Sequence, residues 1–159
     1  MKITVRVRLP DDRDWVLLVL ENGEKTVVRG SESFVKPPGW GLPGGRMNDK
    51  KDKNPHDTAN RELWEETGLT ADIDPEPVFK IPAGEDHEVW LFLARNPRGE
   101  ITITDPYIIT AKWTDWKWVQ PDEFGRAYVE YEGKQWPVYK THVPLIHGVK
   151  PEPRMEIQV

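Results

Sequence analysis

Three glutamates near the middle of the chain, Glu62, Glu65 and Glu66, have the types and the spacing to do chemistry. On a helical wheel with Glu62 at 0°, Glu65 falls at about 300° and Glu66 at about 40°, so the three carboxylates share one arc of roughly 100°. Ala59, Leu63 and Trp64 take the neighbouring and opposite directions. The helix therefore presents an apolar side inward and an acidic edge beside it. That edge is poorly placed for stability. Like charges at i,i+3 and i,i+4 each cost roughly 0.2–0.5 kcal/mol, and the last helical turns favour cations. Alone, three glutamates make a solvated acidic face. As chemistry, they are oxygen ligands for a hard cation, Mg²⁺ or Mn²⁺, whose charge reverses the sign of the cost.

The elements that must position them are marked by local signals. Asn54 is an N-cap, Pro55 suits the first helical turn, and Asp57 stands where a carboxylate helps the helix start. Gly68 stops the helix in the left-handed region, with Leu69 closing over it. Ahead of it, Pro37 to Gly45 is turn-forming throughout, and Asn48 to Lys53 is entirely polar. Ile3, Val5 and Val7 alternate with charges, a strand pattern. Trp15 to Leu20 is a continuous apolar run, the mark of a strand buried on both faces. Asn22-Gly23 signals a turn, with Lys25 to Arg29 as the strand returning from it. Further strands are predicted over 71–81, 87–95, 101–104 and 113–119, with 87–95 central because both its alternating sets are apolar. Residues 136–147 read as a helix that Pro137 can start and Pro144 would kink. The expected fold is α/β, an α/β/α sandwich with a mixed β-sheet: one domain over 1–148 and a C-terminal tail over 149–159.

Composition narrows the function. With 159 residues and a net charge of −5, the chain is not one that coats nucleic acid or an anionic membrane by bulk charge. No apolar run reaches the ~18–20 residues of a membrane span. Cysteine is absent, which excludes disulfides, thiolate metal sites and cysteine nucleophiles. The N-terminus lacks the apolar core of a signal peptide, so a cytoplasmic address is expected by default. Eight tryptophans are many for this length and need a use.

The stretch Arg61-Glu62-Leu63-Trp64-Glu65-Glu66-Thr67-Gly68-Leu69, preceded by Leu42-Pro43-Gly44-Gly45, resembles the signature box of the Nudix hydrolases, G-x5-E-x7-R-E-U-x-E-E-x-G-U with U aliphatic. The second half matches at every fixed position. The likeness extends to the Trp-Gly-Leu-Pro-Gly-Gly lead-in and to Trp118-Val119 followed by Pro121-Asp122-Glu123-Phe124. The first half departs: the loop is two residues longer than the pattern. Lys53 falls at the position of the first box glutamate, with Asp52 displaced beside it.

The resemblance implies metal-dependent hydrolysis of a nucleoside diphosphate linked to another moiety, with Mg²⁺ or Mn²⁺ as cofactor and a nucleotide derivative as partner. It implies Glu62, Glu65, Glu66 and the Gly45 carbonyl as metal ligands, and Glu62, Glu65 and Arg61 as the catalytic set. Arg61 braces Glu65 or a loop group, and the base is one of the glutamates or a loop carboxylate. Asp105 and Asp115 are candidates for that loop acid, as are Glu85, Asp86 and Glu88, though a turn or surface role is the better reading of each. For the substrate, Trp40 and Trp116 are candidate stacking surfaces for a base, and Lys53, with Lys50 and Lys51, could draw in phosphates. Trp118 is expected in the core and His56 on the surface. The replaced glutamate and longer loop give a second reading, a weak or non-catalytic Nudix-like domain that binds a nucleotide or a protein.

Overall fold

Alternation of apolar and charged residues builds β1 (Lys2–Arg8), with Val5 and Val7 buried on one face and Arg6 and Arg8 half-buried on the other. The apolar run becomes β2 (Val16–Glu21). Leu17 and Val19 enter one hydrophobic cluster while Val16, Leu18 and Leu20 enter another. The chain continues through β3 (Thr26–Arg29), β4 (Glu32–Val35), β5 (Gly39–Gly41), β6 (Gly44–Arg46), the helix α1 (Pro55–Thr67), β7 (Thr70–Ile73), β8 (Phe79–Pro82), β9 (His87–Arg98), β10 (Ile108–Thr114), β11 (Ala127–Tyr131), β12 (Lys134–Val138) and the short helix α2 (Val143–Ile146). This is a computed structural model that describes residues 1–23, 26–29 and 32–151, those from 26 to 34 by their backbone alone.

The strands form two mixed sheets and a hairpin. One sheet runs β6-β1-β9-β7, with β8 also paired to β9; β1 and β9 are parallel and the other pairs antiparallel. The other runs β10-β2-β5-β12-β11, with β5 and β12 parallel. Ala59 and Leu63 of α1 pack with Val5, Val7 and Phe92. Leu145 and Ile146 of α2 pack with Leu18, Trp40 and Leu91. Leu91 and Phe92 are neighbours in β9 and point to opposite faces, so the two helices cover opposite sides of the β layer. The fold is α/β.

Several expected elements take another form. The strand expected from Ala71 to Ile81 is two, β7 and β8, separated by Pro75 and Pro77. Residues 101–104 form no strand; Thr102 N donates to Thr67 O at 2.8 Å just past the end of α1. The strand expected over 113–119 ends at Thr114. Asp115 then caps a single 3₁₀ turn, Trp116–Trp118, by accepting from Lys117 N. That turn rotates Trp118 outward, to 80% exposure, instead of into the core. Residues 136–147 are the end of β12, a 3₁₀ turn and α2. Pro144 lies in the first turn of α2, where its missing N–H is not needed. β3 exists, but it pairs with β4 and not with β2. From residue 152 on, the expected tail lies outside the described residues.

Trp40, on β5, has no exposed surface. Its Nε1 donates to Val129 O at 3.0 Å, and its ring meets Tyr131 edge-on. Trp40→Ala is expected to cost ~3–5 kcal/mol of stability by leaving a cavity, while Trp118→Ala stays within ~0.5 kcal/mol. Chemical denaturation of the two variants measures the difference.

Candidate active site

The site is built on α1, whose ends follow local rules. Asn54 Oδ1 accepts from Asp57 N at 2.9 Å, and Pro55 opens the helix. Gly68, at φ 78°, closes it with its N–H on Trp64 O. With Ala59 and Leu63 in the core, Arg61, Glu62, Glu65 and Glu66 remain along the side that faces β6.

The two glycines of β6 let its backbone meet that edge. Gly44 N donates to Glu66 Oε1 at 2.9 Å. A Cβ on Gly45 would lie 2.6 Å from Glu62 Oε1, so Glu62 fills space that only glycine leaves open. Glu66 is 8% exposed. Burial, and then the negative charge of Glu62, push its carboxyl from an ordinary 4.5 up to about 8; the Gly44 hydrogen bond and Arg6 act the other way.

Arg61 sets the rest of the geometry. Its Nε donates to Asp52 Oδ1 at 2.8 Å and its Nη2 to Asp52 Oδ2 at 2.9 Å, a two-point pair. Its Nη1 donates to Glu62 Oε1 at 3.2 Å and to Glu65 Oε2 at 3.0 Å. Asp52 is buried, and Oδ2 also accepts from Thr58 Oγ1 and Asn48 N. The Arg61 hydrogen bonds hold the Asp52 carboxyl down at about 2, against its burial. The same pairing raises Arg61 above its ordinary value.

These contacts correct the expected alignment. Asp52, not Lys53, is the residue that faces Arg61; Lys53 is exposed, and its N–H donates to Asp57 Oδ2. Aspartate is a methylene shorter than glutamate, and the backbone makes up the distance. Lys51 N and Asp52 N both donate to Asn48 O, curling the longer loop back against the helix. Trp40 is corrected as well. Sealed in the core, it offers no face to a nucleobase. Trp116 is half-buried, with Nε1 on Asp14 Oδ2 at 3.3 Å and its ring edge-on to His147, beside Arg8. Asp105 and Asp115 are turn residues that accept from Tyr107 N and Lys117 N. His56 is half-buried and bonded to Ile73 O.

The donors that could hold a cation, Glu62, Glu65, Glu66 and the Gly45 carbonyl, are all oxygen, which suits Mg²⁺ or Mn²⁺. Among the described residues no three acidic or histidine side chains already converge as a ready metal cage. Arg61 Nη1 instead bridges Glu62 and Glu65.

The NUDIX domain profile matches residues 11–141 of this chain. The chain belongs to the Nudix family. Among curated relatives, RNA pyrophosphohydrolases of Cereibacter sphaeroides (strain ATCC 17029) and Erythrobacter litoralis (strain HTCC2594) are similar. The first is 26% identical over 139 residues, 76% of this chain and 83% of that protein. The second is 29% identical over 133 residues, 72% and 80% respectively. Two solved structures share the fold. One is the Nudix domain of Shewanella oneidensis NrtR with ADP-ribose (TM-score 0.61, 20% identity, 91% of this chain and 83% of that one). The other is an ADP-ribose pyrophosphatase from Streptococcus suis (TM-score 0.60, 17% identity, 96% and 94%).

Two measurements follow from the Nudix site's electrostatics. Asp52→Ala removes the two-point partner of Arg61, which keeps Nη1 on Glu62 and Glu65, and is expected to cost ~1–3 kcal/mol, the penalty for leaving buried donors unfilled. Lys53→Ala changes stability by less than ~0.5 kcal/mol. Glu66 works in the opposite sense. Its folded-state value lies above the unfolded 4.5, so the metal-free fold loses stability as pH rises from about 4.5 toward 8. Glu66→Gln keeps an acceptor for Gly44 N and cannot ionise. Melting curves of metal-free protein should show it more stable than wild type at pH 9, with the gap closing toward pH 4.5.

Proposed function

We propose that the protein is a divalent-metal-dependent hydrolase that cleaves the pyrophosphate bond of a nucleoside diphosphate linked to another moiety. That it is a Nudix-type pyrophosphohydrolase follows from the family match and the curated relatives. The observation that carries the metal reading is Glu66. A carboxyl is buried beside Glu62, with only the Gly44 N–H in hydrogen-bond contact among the described residues, and burial pushes its pKa up. A fold gains nothing from that arrangement by itself, and a bound cation would reverse its cost.

Glu62, Glu65, Glu66 and the Gly45 carbonyl would hold the ion. When bound, Mg²⁺ or Mn²⁺ offsets charge on the diphosphate and helps to orient a water for attack on phosphorus. The chain's own residues supply the framework. Arg61 keeps its two-point bond to Asp52, so its position survives if Glu62 and Glu65 turn to the ion. Glu65, the more exposed of the two acids on Arg61 Nη1, is the one best able to take a proton from water. Asp52 supplies the acid that faces Arg61, so Lys53 gives no ground for a non-catalytic reading. With Trp40 buried, Trp116 remains as the candidate surface for a nucleobase.

The relatives' name puts RNA on the list of substrates to try, and the neighbour with bound ligand adds ADP-ribose. A net charge of −5 favours the small nucleotide derivatives over a long RNA.

The test is chromatographic detection of the cleaved products, a nucleoside phosphate and its phosphorylated leaving group, from nucleoside triphosphates, dinucleoside polyphosphates, ADP-ribose, nucleotide sugars and a 5′-triphosphorylated oligoribonucleotide, with and without Mg²⁺. Wild type is expected to turn over at least one, only with metal. Glu65→Gln should lower its turnover by about 100-fold or more at an unchanged melting temperature. If Mg²⁺ neither supports turnover nor raises the melting temperature of wild type, this function is wrong.

A further inference from the structure

Among the described residues the half-buried cations are partnered, with one exception. Arg8 donates from Nε to Ile146 O at 2.9 Å, Arg61 is held by three carboxylates, and Lys36 pairs with Glu21 at 3.3 Å. Arg6 is half-buried in the middle of β1, and its guanidinium makes no hydrogen bond or ion pair among the described residues. A guanidinium carries five N–H donors, and leaving them unfilled while partly desolvated is costly. Such a group has donors to spare for a further anion beside Glu66, whose carboxyl already feels its charge.

Its location says which anion. In the β1–β6 pairing, Arg6 is in register with Gly44, and a Cβ on Gly44 would lie 3.0 Å from Arg6 Cα. Gly44 is the residue whose N–H holds Glu66, so Arg6 stands next in line behind the acidic edge. Strand alternation turns its side chain away from Val5, Val7 and the α1 side. Tyr139 and His142 stand over the glycines of β5. A Cβ on Gly39 would lie 2.8 Å from Tyr139 Cε1, and one on Gly41 2.5 Å from His142 Nδ1. The charge of Arg6 is felt at Glu66, Tyr139 and His142 alike. Neither ring can serve as its counter-ion. Tyr139 donates its hydroxyl to Pro37 O at 2.7 Å, and His142 accepts from Leu42 N through Nδ1, held neutral by burial.

We propose that Arg6 is a substrate-binding residue, its guanidinium taking the phosphoryl group next to the one that lies against Glu62, Glu65 and Glu66. The inference rests on the pyrophosphohydrolase reading above and adds to it the residue that grips the second half of the diphosphate. The fork of N–H donors matches phosphate oxygens, where an ammonium offers only a point charge. In a chain with a net charge of −5 and an acidic edge at this site, a diphosphate needs such a local cation to approach.

Steady-state kinetics on whichever substrate of the panel wild type cleaves fastest tests this, beside melting curves. The contact exists in ground and transition states alike, so it acts on KM more than on kcat. Arg6→Ala is expected to raise KM roughly 10–100-fold, with a much smaller change in kcat and no loss of melting temperature. Arg6→Lys should recover part of the affinity and Arg6→Gln little of it. An unchanged KM in all three variants overturns the inference while leaving the hydrolase reading intact. So does a fall in melting temperature with KM unchanged, since that marks a structural arginine. A wild type inactive on the whole panel removes the hydrolase reading and Arg6's role together.

Discussion

Three carboxylates, Asp52, Glu62 and Glu65, converge on the single guanidinium of Arg61, and the shape of the candidate site depends on that convergence. The bonds are unequal. Asp52 takes two donors in a buried, fixed geometry and is further tied to Thr58 and Asn48. Glu62 and Glu65 share the one remaining nitrogen. Arg61 is thus anchored on its loop side and exchangeable on its helix side. Glu66 is outside this arrangement and is handled by burial and a backbone N–H. The acidic edge therefore contains two electrostatic kinds of glutamate, Glu62 and Glu65 paired with a cation and Glu66 buried with its carboxyl pushed upward.

The β layer keeps these groups in place. β6 is an edge strand fixed by its pairing with β1, and α1 is fixed by Ala59 and Leu63 on the same sheet. Helix and strand are held independently against one core. The spacing between Gly45 and Glu62 follows from hydrophobic packing and does not require their mutual attraction.

Much of this could be read from residue types. The helix and its ends were legible because Asn54, Pro55 and Gly68 act through local backbone geometry. The wheel positions of the glutamates followed from the helix. β1, β2 and β9 were legible because their apolar patterns are long. Trp40 was not, because a three-residue strand between glycines has no period to read, and its burial is set by β11 and β12 from far along the chain. Trp118 was misplaced because one 3₁₀ turn breaks the alternation that 113–119 suggests. Asp52 was weighed but set second to Lys53, because counting back from Arg61 assumes a regular loop. The Asn48 turn, which depends on hydrogen bonds and not on periodicity, shifts the acid by one position. Arg6 looked like one more charge on the outer face of a strand, since nothing in the sequence says which polar residues will lack a partner.

The two glycines of β6 also bear on how this protein can change over evolutionary time. A methyl group on Gly44 would stand 2.0 Å from Val5 O, and one on Gly45 would displace Glu62. At Gly44 even the smallest side chain would have to move the strand beside it, and at Gly45 it would have to move the carboxylate that defines the site. The Gly-Gly step is closed to drift, so descendants that acquire new substrates must vary elsewhere. The exposed loop from Asn48 to Lys51, whose length already differs from the family pattern while Asp52 still reaches Arg61, is ground on which such variation can accumulate without cost to the helix it serves.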